Sequence, residues 1–232
     1  MPEFPFDAIL FDCDGVLVDS EPITCRVLAE MLGELGWPIS VHETMERFIG
    51  KMVKDQAALI QEQTGFALTE DWLAGFRARR DDALARELVA VPGAKAAVDT
   101  LSSRLRGRIA VASGADRGKI LLQLRKTGLL PSFESQVYSG QEMPRSKPFP
   151  DVYLAAANGL GVAPRRCAVV EDTVTGATAG VAAGATVFGY SPPEAGHSGA
   201  EALLAVGAVA VFTDMRALPD LLAGHEFAER PG

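Results

Sequence analysis

From about Gly93 onward, short apolar runs of strand length alternate with stretches of helical periodicity. An apolar strand needs cover on both faces, and helices placed between successive strands supply it when the strands run parallel. Residues 108–113, 167–171, 185–189 and 208–212 read as strands, and 134–138 as a weaker one. Helical stretches fall at 95–105, 118–127, 150–160 and 175–183. One more apolar run, 6–11, stands near the start of the chain. With right-handed crossovers these pieces predict an α/β fold, a Rossmann-like doubly wound parallel sheet.

Residues 20–91 follow a different rule. Val27, Leu28, Met31, Leu32 and Leu35 share one helical face, and Trp72, Leu73, Phe76, Leu84 and Leu88 continue at helical spacing. Gly36-Trp37-Pro38 and Thr64-Gly65 punctuate the stretch, and Val91-Pro92-Gly93 marks the return to alternation. The expected organisation is an α/β core of residues 1–19 and 92–232 with a helical module, 20–91, inserted after the first strand. A chain of 232 residues with 48% hydrophobic content can fill both. Residues 229–232 are expected to fray.

The net charge of -8 argues against nucleic acid or an anionic membrane as the main partner. A small anionic substrate stays open, because a pocket can be locally cationic. Cys13, Cys25 and Cys167 are odd in number and widely spaced, which fits neither a disulfide framework nor a zinc site. The chain opens without a leader-like segment and carries no apolar run of membrane-spanning length. The expected location is a reducing cytoplasm.

In an open α/β sheet, ligands gather beyond the carboxyl ends of the strands. Those ends carry Asp12, Asp14 and Gly15; then Ser113-Gly114; then Lys147-Pro148-Phe149-Pro150-Asp151; then Glu171-Asp172-Thr173. Strand alternation points Asp12 and Asp14 to one side and Cys13 into packing, and Gly15 permits a sharp turn. Two acids this close repel unless a cation or a shared proton compensates. Each station also has a structural role open to it. Asp12 and Asp14 can form an Asx-type turn, Ser113 and Asp172 can cap helices, and Lys147 can be a surface lysine. Asp151 is expected in the first turn of its helix and Arg145 at the surface.

Taken in order, the four stations resemble the motifs of the haloacid dehalogenase superfamily of aspartate-nucleophile phosphohydrolases, over essentially the whole chain. The resemblance implies that Asp12 attacks phosphorus and that Asp14 serves as general acid and then general base. It implies Mg2+ as cofactor, held by Asp12, Asp172 and the backbone carbonyl of Asp14, with Glu171 bound directly or through water. Lys147 would neutralise Asp12 and the phosphoryl oxygens; Ser113 and the backbone around Gly114 would donate to phosphate. An aspartate at position 14 favours phosphoryl transfer over carbon–halogen cleavage, where no leaving oxygen needs a proton.

The inserted module resembles the family's small helical cap, which chooses the leaving group. Lys51 and Lys54 are candidates there to meet substrate. Arg77, Arg79 and Arg80 read either as a second anion site or as a solvated face beside Asp81 and Asp82. Within the family the chain resembles the branch of β-phosphoglucomutase and the sugar-phosphate and 6-phosphogluconate phosphatases. Mutase relatives carry a histidine and an arginine where this chain has Thr24 and Val53, which favours hydrolysis. The expectation is a Mg2+-dependent phosphatase that acts on a small phosphorylated sugar or sugar acid through an aspartyl-phosphate, as a monomer or weak homodimer. The alternatives are a hexose-phosphate mutase and a non-catalytic phosphometabolite-binding protein.

Overall fold

The computed structural model describes residues 4–133, 135–193 and 198–225. The chain divides into two compact units, Met1–Val18 with Ala90–Gly232, and Asp19–Val89. The first unit is built on a six-stranded sheet of β1 (Ala8–Phe11), β2 (Ile109–Ser113), β3 (Val137–Ser139), β4 (Cys167–Glu171), β5 (Thr186–Tyr190) and β6 (Ala210–Phe212). The strand order is β3-β2-β1-β4-β5-β6, and every pairing is parallel. Phe11 pairs with Val111 on one side and Val170 on the other, so β1 lies at the centre and its last residue points the chain at the rim. This is the parallel, doubly wound sheet that the alternation predicts.

All residues of β1, β2 and β4 are buried, as expected of strands covered on both faces. On one face Leu10, Ala112 and Val169 pack with Val152, Tyr153 and Ala156 of one helix and Ala177 and Ala179 of another. On the other, the Phe11 and Phe133 rings meet edge to face at 6.0 Å. The ladder of β1 is shorter than the apolar run from Phe6, because Asp7 leaves the core to pair with Arg166 at 3.0 Å. The weak strand expected at 134–138 forms at Val137–Ser139, an edge position; Glu134 lies outside the described residues, as do 229–232.

The Asp19–Val89 unit consists of α1 (Glu21–Glu34), α2 (Val41–Phe48), α3 (Ala57–Thr64) and α4 (Glu70–Glu87), with a short 3-10 turn at Val53–Gln56. Ser40 and Glu43 cap α2 reciprocally, and Gly65 at φ 69° ends α3 in the left-handed conformation that favours glycine. Val27, Leu28, Leu32, Ile60 and Phe76 form this unit's own core. The arginines at 77–80 resolve into ion pairs rather than an anion site. Arg79 pairs with Glu34 at 2.5 Å and Arg77 with Glu70 at 3.7 Å, while Arg80 is buried over the Phe76 ring and bonded to Asp81. Among the described residues, no helix is long and apolar enough to cross a membrane.

The remaining helices of the first unit are α5 (Ala94–Arg104), α6 (Arg117–Lys126), α7 (Leu130–Phe133), α8 (Asp151–Gly159), α9 (Val174–Ala182), α10 (Ala200–Ala205) and α11 (Leu218–Ala223). Two of them set up the rim. Asp116 caps α6 by accepting from the Lys119 N–H, and Thr173 caps α9 by accepting from the Gly176 N–H. Gly180 lets α9 lie close on the sheet, since a Cβ there would come within 2.8 Å of Val187 Cγ2.

Candidate active site

The ladder of β1 stops at Phe11, but the Asp12 N–H still donates to Val170 O at 3.0 Å, which holds Asp12 beside β4. Gly15 then turns the chain at φ 75°. Its N–H donates to Val18 O at 2.9 Å, and Leu17 and Val18 both donate to Cys13 O. Strand alternation therefore does not reach Asp14; this tight loop places it instead. Asp12 is buried at the carboxyl end of the central strand.

Lys147 follows a loop that ends in a cis Lys147–Pro148 bond. Its ammonium sits 2.8 Å from Asp12 Oδ1 and 2.6 Å from Glu171 Oε1, over the Tyr153 ring. It is no surface lysine: its side chain is 8% exposed. Glu171, at the end of β4, is fully buried and held on both oxygens. Oε1 accepts from Lys147 and from the Tyr153 hydroxyl at 2.7 Å. Oε2 accepts from the backbone N–H of Asp172 and of Thr173 and from the Thr173 hydroxyl, at 3.1–3.2 Å. A carboxylate offers roughly four lone-pair directions, so these donors saturate it.

Gly176 makes that seat possible. A Cβ at position 176 would fall 1.7 Å from Glu171 Oε1 and 2.0 Å from its Cδ. A Gly176→Ala variant must push a saturated, buried carboxylate off its donors. It is expected to destabilise the protein by about 1–3 kcal/mol, the usual cost of overpacking, and to lower activity with it. Urea denaturation and initial rates of phosphate release check both.

Asp12, Glu171 and Asp172 are all buried, with ligand oxygens within 4.8 Å of one another. Burial, and then the charges of Glu171, Asp172 and Asp14, push the Asp12 carboxyl well above its usual range against the pull of Lys147. Lys147 itself is pulled down by burial, but the charges of Asp12 and Glu171 outweigh this and hold it as an ammonium. Lys147 thus bridges two of three buried acids, and a divalent ion at their meeting point would add positive charge. Hard oxygen donors in this arrangement fit Mg2+.

Asp14 does not join that cluster through its side chain. Its Oδ1 accepts from Lys119 at 2.8 Å and from Gln123 at 2.7 Å, so the two neighbouring acids are compensated by separate lysines. Ser113, buried at the end of β2, accepts from the Ala115 N–H at 3.1 Å and keeps its own O–H for donation. It does not cap α6, since Asp116 does. Gly114 follows in the same turn. The Ser113 O and Gly114 Cα approach position 140 so closely that a Cβ there would meet each at 3.3 Å. Asp151 takes the first helical position of α8 and pairs with the exposed Arg145. Asp172 lies before the Thr173 cap rather than serving as one. In the helical unit Lys51 is exposed and donates to Arg47 O at 2.9 Å, and Lys54 is also exposed.

Four residues of this site escaped the sequence reading: Lys119, Gln123, Tyr153 and Gly176. Lys119 and Gln123 had a signal, since they occupy buried positions of α6 beside Ile120 and Leu124, where a core-facing stripe is normally apolar.

With the geometry defined, likeness to known proteins agrees with it. A model of the haloacid dehalogenase-like hydrolase family matches residues 6–184. The 6-phosphogluconate phosphatase of Escherichia coli is 32% identical over 183 residues, covering 78% of this chain and 81% of that protein. The plasmid phosphoglycolate phosphatase of Cupriavidus necator is 32% identical over 232 residues, covering 97% and 96%. A crystal structure of a haloacid dehalogenase family hydrolase from Deinococcus radiodurans, with bound phosphate and sodium, matches with a TM-score of 0.78 and 38% identity, over 95% of this chain and 96% of that one. The chain belongs to the haloacid dehalogenase-like hydrolase family. Within that family it is a phosphatase.

Proposed function

We propose that this phosphatase is Mg2+-dependent, forms an aspartyl-phosphate on Asp12 and hydrolyses small phosphorylated sugars or sugar acids. The observation that carries the reading is the buried group of Asp12, Glu171 and Asp172, with Lys147 bridging the first two. Asp12, Asp172 and the Asp14 carbonyl would hold the ion. Glu171, saturated by its donors, acts from behind by fixing Lys147 and the backbone at Asp172. When bound, Mg2+ supplies positive charge against the phosphoryl oxygens and keeps Asp12 ionised.

The residues divide the chemistry between them. An ionised Asp12 oxygen attacks phosphorus, the bond from phosphorus to the sugar oxygen breaks, and Asp14 passes a proton to that oxygen. Asp14 then takes a proton from water as the water attacks phosphorus, and the bond to Asp12 breaks. Lys147 and the Ser113 hydroxyl stabilise the charge that spreads over the phosphoryl oxygens. The helical unit is assigned the choice of leaving group, with Lys51 as the residue to test. The named activity of the Escherichia coli relative supports sugar acids as the first substrates to try. The three buried free thiols suit a reducing cytoplasm.

The test is phosphate release from sugar phosphates, sugar-acid phosphates, phosphoglycolate and nucleotides, with Mg2+ and with EDTA, alongside a β-glucose 1-phosphate mutase assay. The expected result is metal-dependent release, fastest on a sugar or sugar-acid phosphate. Isomerisation without release, or undiminished release in EDTA, would overturn the reading. Mg2+ should also raise the melting temperature, since a ligand at a hundred times its Kd stabilises by about 2.7 kcal/mol. That shift should disappear in Asp172→Asn.

A further inference from the structure

The core-facing stripe of α6 buries Lys119, Ile120, Gln123 and Leu124, so half of it is polar. An ammonium taken out of water costs several kcal/mol unless a partner answers it. Lys119 and Gln123 stand four residues apart, one above the other on the helix. Both reach the same atom: Lys119 Nζ lies 2.8 Å and Gln123 Nε2 lies 2.7 Å from Asp14 Oδ1. Cys13 Sγ donates to Gln123 Oε1 at 3.4 Å, which fixes the amide with its NH2 toward Asp14. The helix carrying these donors is itself pinned at its start, where Asp116 accepts from the Lys119 N–H at 2.8 Å.

We propose that Lys119 and Gln123 are positioning residues for proton transfer: together they grip Asp14 by Oδ1 and fix the plane of its carboxyl group. The proposed reaction uses that carboxyl twice, first toward the leaving oxygen and then toward the attacking water. A carboxylate on a loop that turned freely would be misplaced for one or both steps, and small misplacements are costly. Two convergent donors from one rigid helix remove that freedom. The inference rests on the reading of Asp14 as acid and base.

Leaving-group dependence tests it. A sugar alkoxide needs a proton as it departs, whereas p-nitrophenolate leaves without one. The ratio of kcat/KM for the best sugar phosphate of the panel to that for p-nitrophenyl phosphate therefore reports proton delivery. It is also independent of how much of a variant is folded. In Lys119→Met and in Gln123→Met this ratio is expected to fall by about 10²-fold, the low end of what general acid catalysis contributes. Equal losses on both substrates, leaving the ratio within about threefold of wild type, would show a merely structural role and overturn the inference. Asp14→Asn separates the two ideas. If its ratio is unchanged, the acid–base reading fails and this inference with it. If its ratio falls while both α6 variants keep theirs, the positioning role alone is refuted.

Discussion

The Asp12→Asn variant is expected to lose about 10⁴-fold or more in kcat while remaining folded. An amide oxygen accepts a hydrogen bond much as a carboxylate does, but it is no nucleophile toward phosphorus. Lys147 would keep its ion pair with Glu171 at 2.6 Å, so the buried ammonium is not stranded. The substitution also removes one of three crowded buried acids, and burial with its neighbours' charges already disfavours ionised Asp12. The urea midpoint measured in EDTA should therefore stay close to wild type while phosphate release vanishes. A variant that released phosphate at a tenth of the normal rate would rule out Asp12 as nucleophile.

Lys147→Met should damage stability as well as activity. The ammonium bridges Asp12 and Glu171, and all three groups are buried. Removing one partner of a buried ion pair typically costs about 3–5 kcal/mol, because the other is left uncompensated. Here two carboxylates are left. Lys147 is held above the ordinary lysine range, so its contribution is fully present at neutral pH and is lost only as the pH rises through the alkaline range. The Asp12 carboxyl is pushed up, so acidification from neutral pH protonates it early and relieves the crowding in the variant. The deficit relative to wild type, read from urea midpoints in EDTA, should thus be larger at pH 8 than at pH 5. An equal, small deficit at both would mean that Lys147 is not the counter-charge described.

The sequence disclosed those parts of the candidate site that lie at or beyond the carboxyl ends of the strands. Asp12, Ser113, Lys147, Glu171 and Asp172 were legible because the carboxyl rim of a parallel sheet is where such a fold can bind, and the strands themselves read as unbroken apolar runs. The structure brings Lys147 onto Asp12 and Glu171 across separations in sequence of 135 and 24 residues. What stayed hidden was the support behind the rim. Tyr153 reads as an ordinary apolar position of α8, and only the packing of α8 against the sheet delivers its hydroxyl to Glu171. Gly176 reads as a weak helix former, and its purpose is visible only once Glu171 is seen filling the space where a Cβ would be. Strand alternation predicts the position of Asp14, whereas a loop and two α6 side chains set it. The arginines at 77–80 show the opposite failure, a conspicuous sequence cluster that dissolves into separate ion pairs and one buried stack.

The most direct test of the account is to look for the phosphoryl group on Asp12. Wild type and Asp14→Asn, the latter lacking the base that hydrolyses the intermediate, would be mixed with the best sugar phosphate and Mg2+, quenched in acid within milliseconds and digested for mass spectrometry. One phosphoryl group is expected on the peptide that carries Asp12, accumulating further in Asp14→Asn, decaying as substrate runs out and absent in Asp12→Asn. Phosphate release in the wild type with no phosphoryl group on that peptide in either enzyme, or with one on another residue, would contradict it.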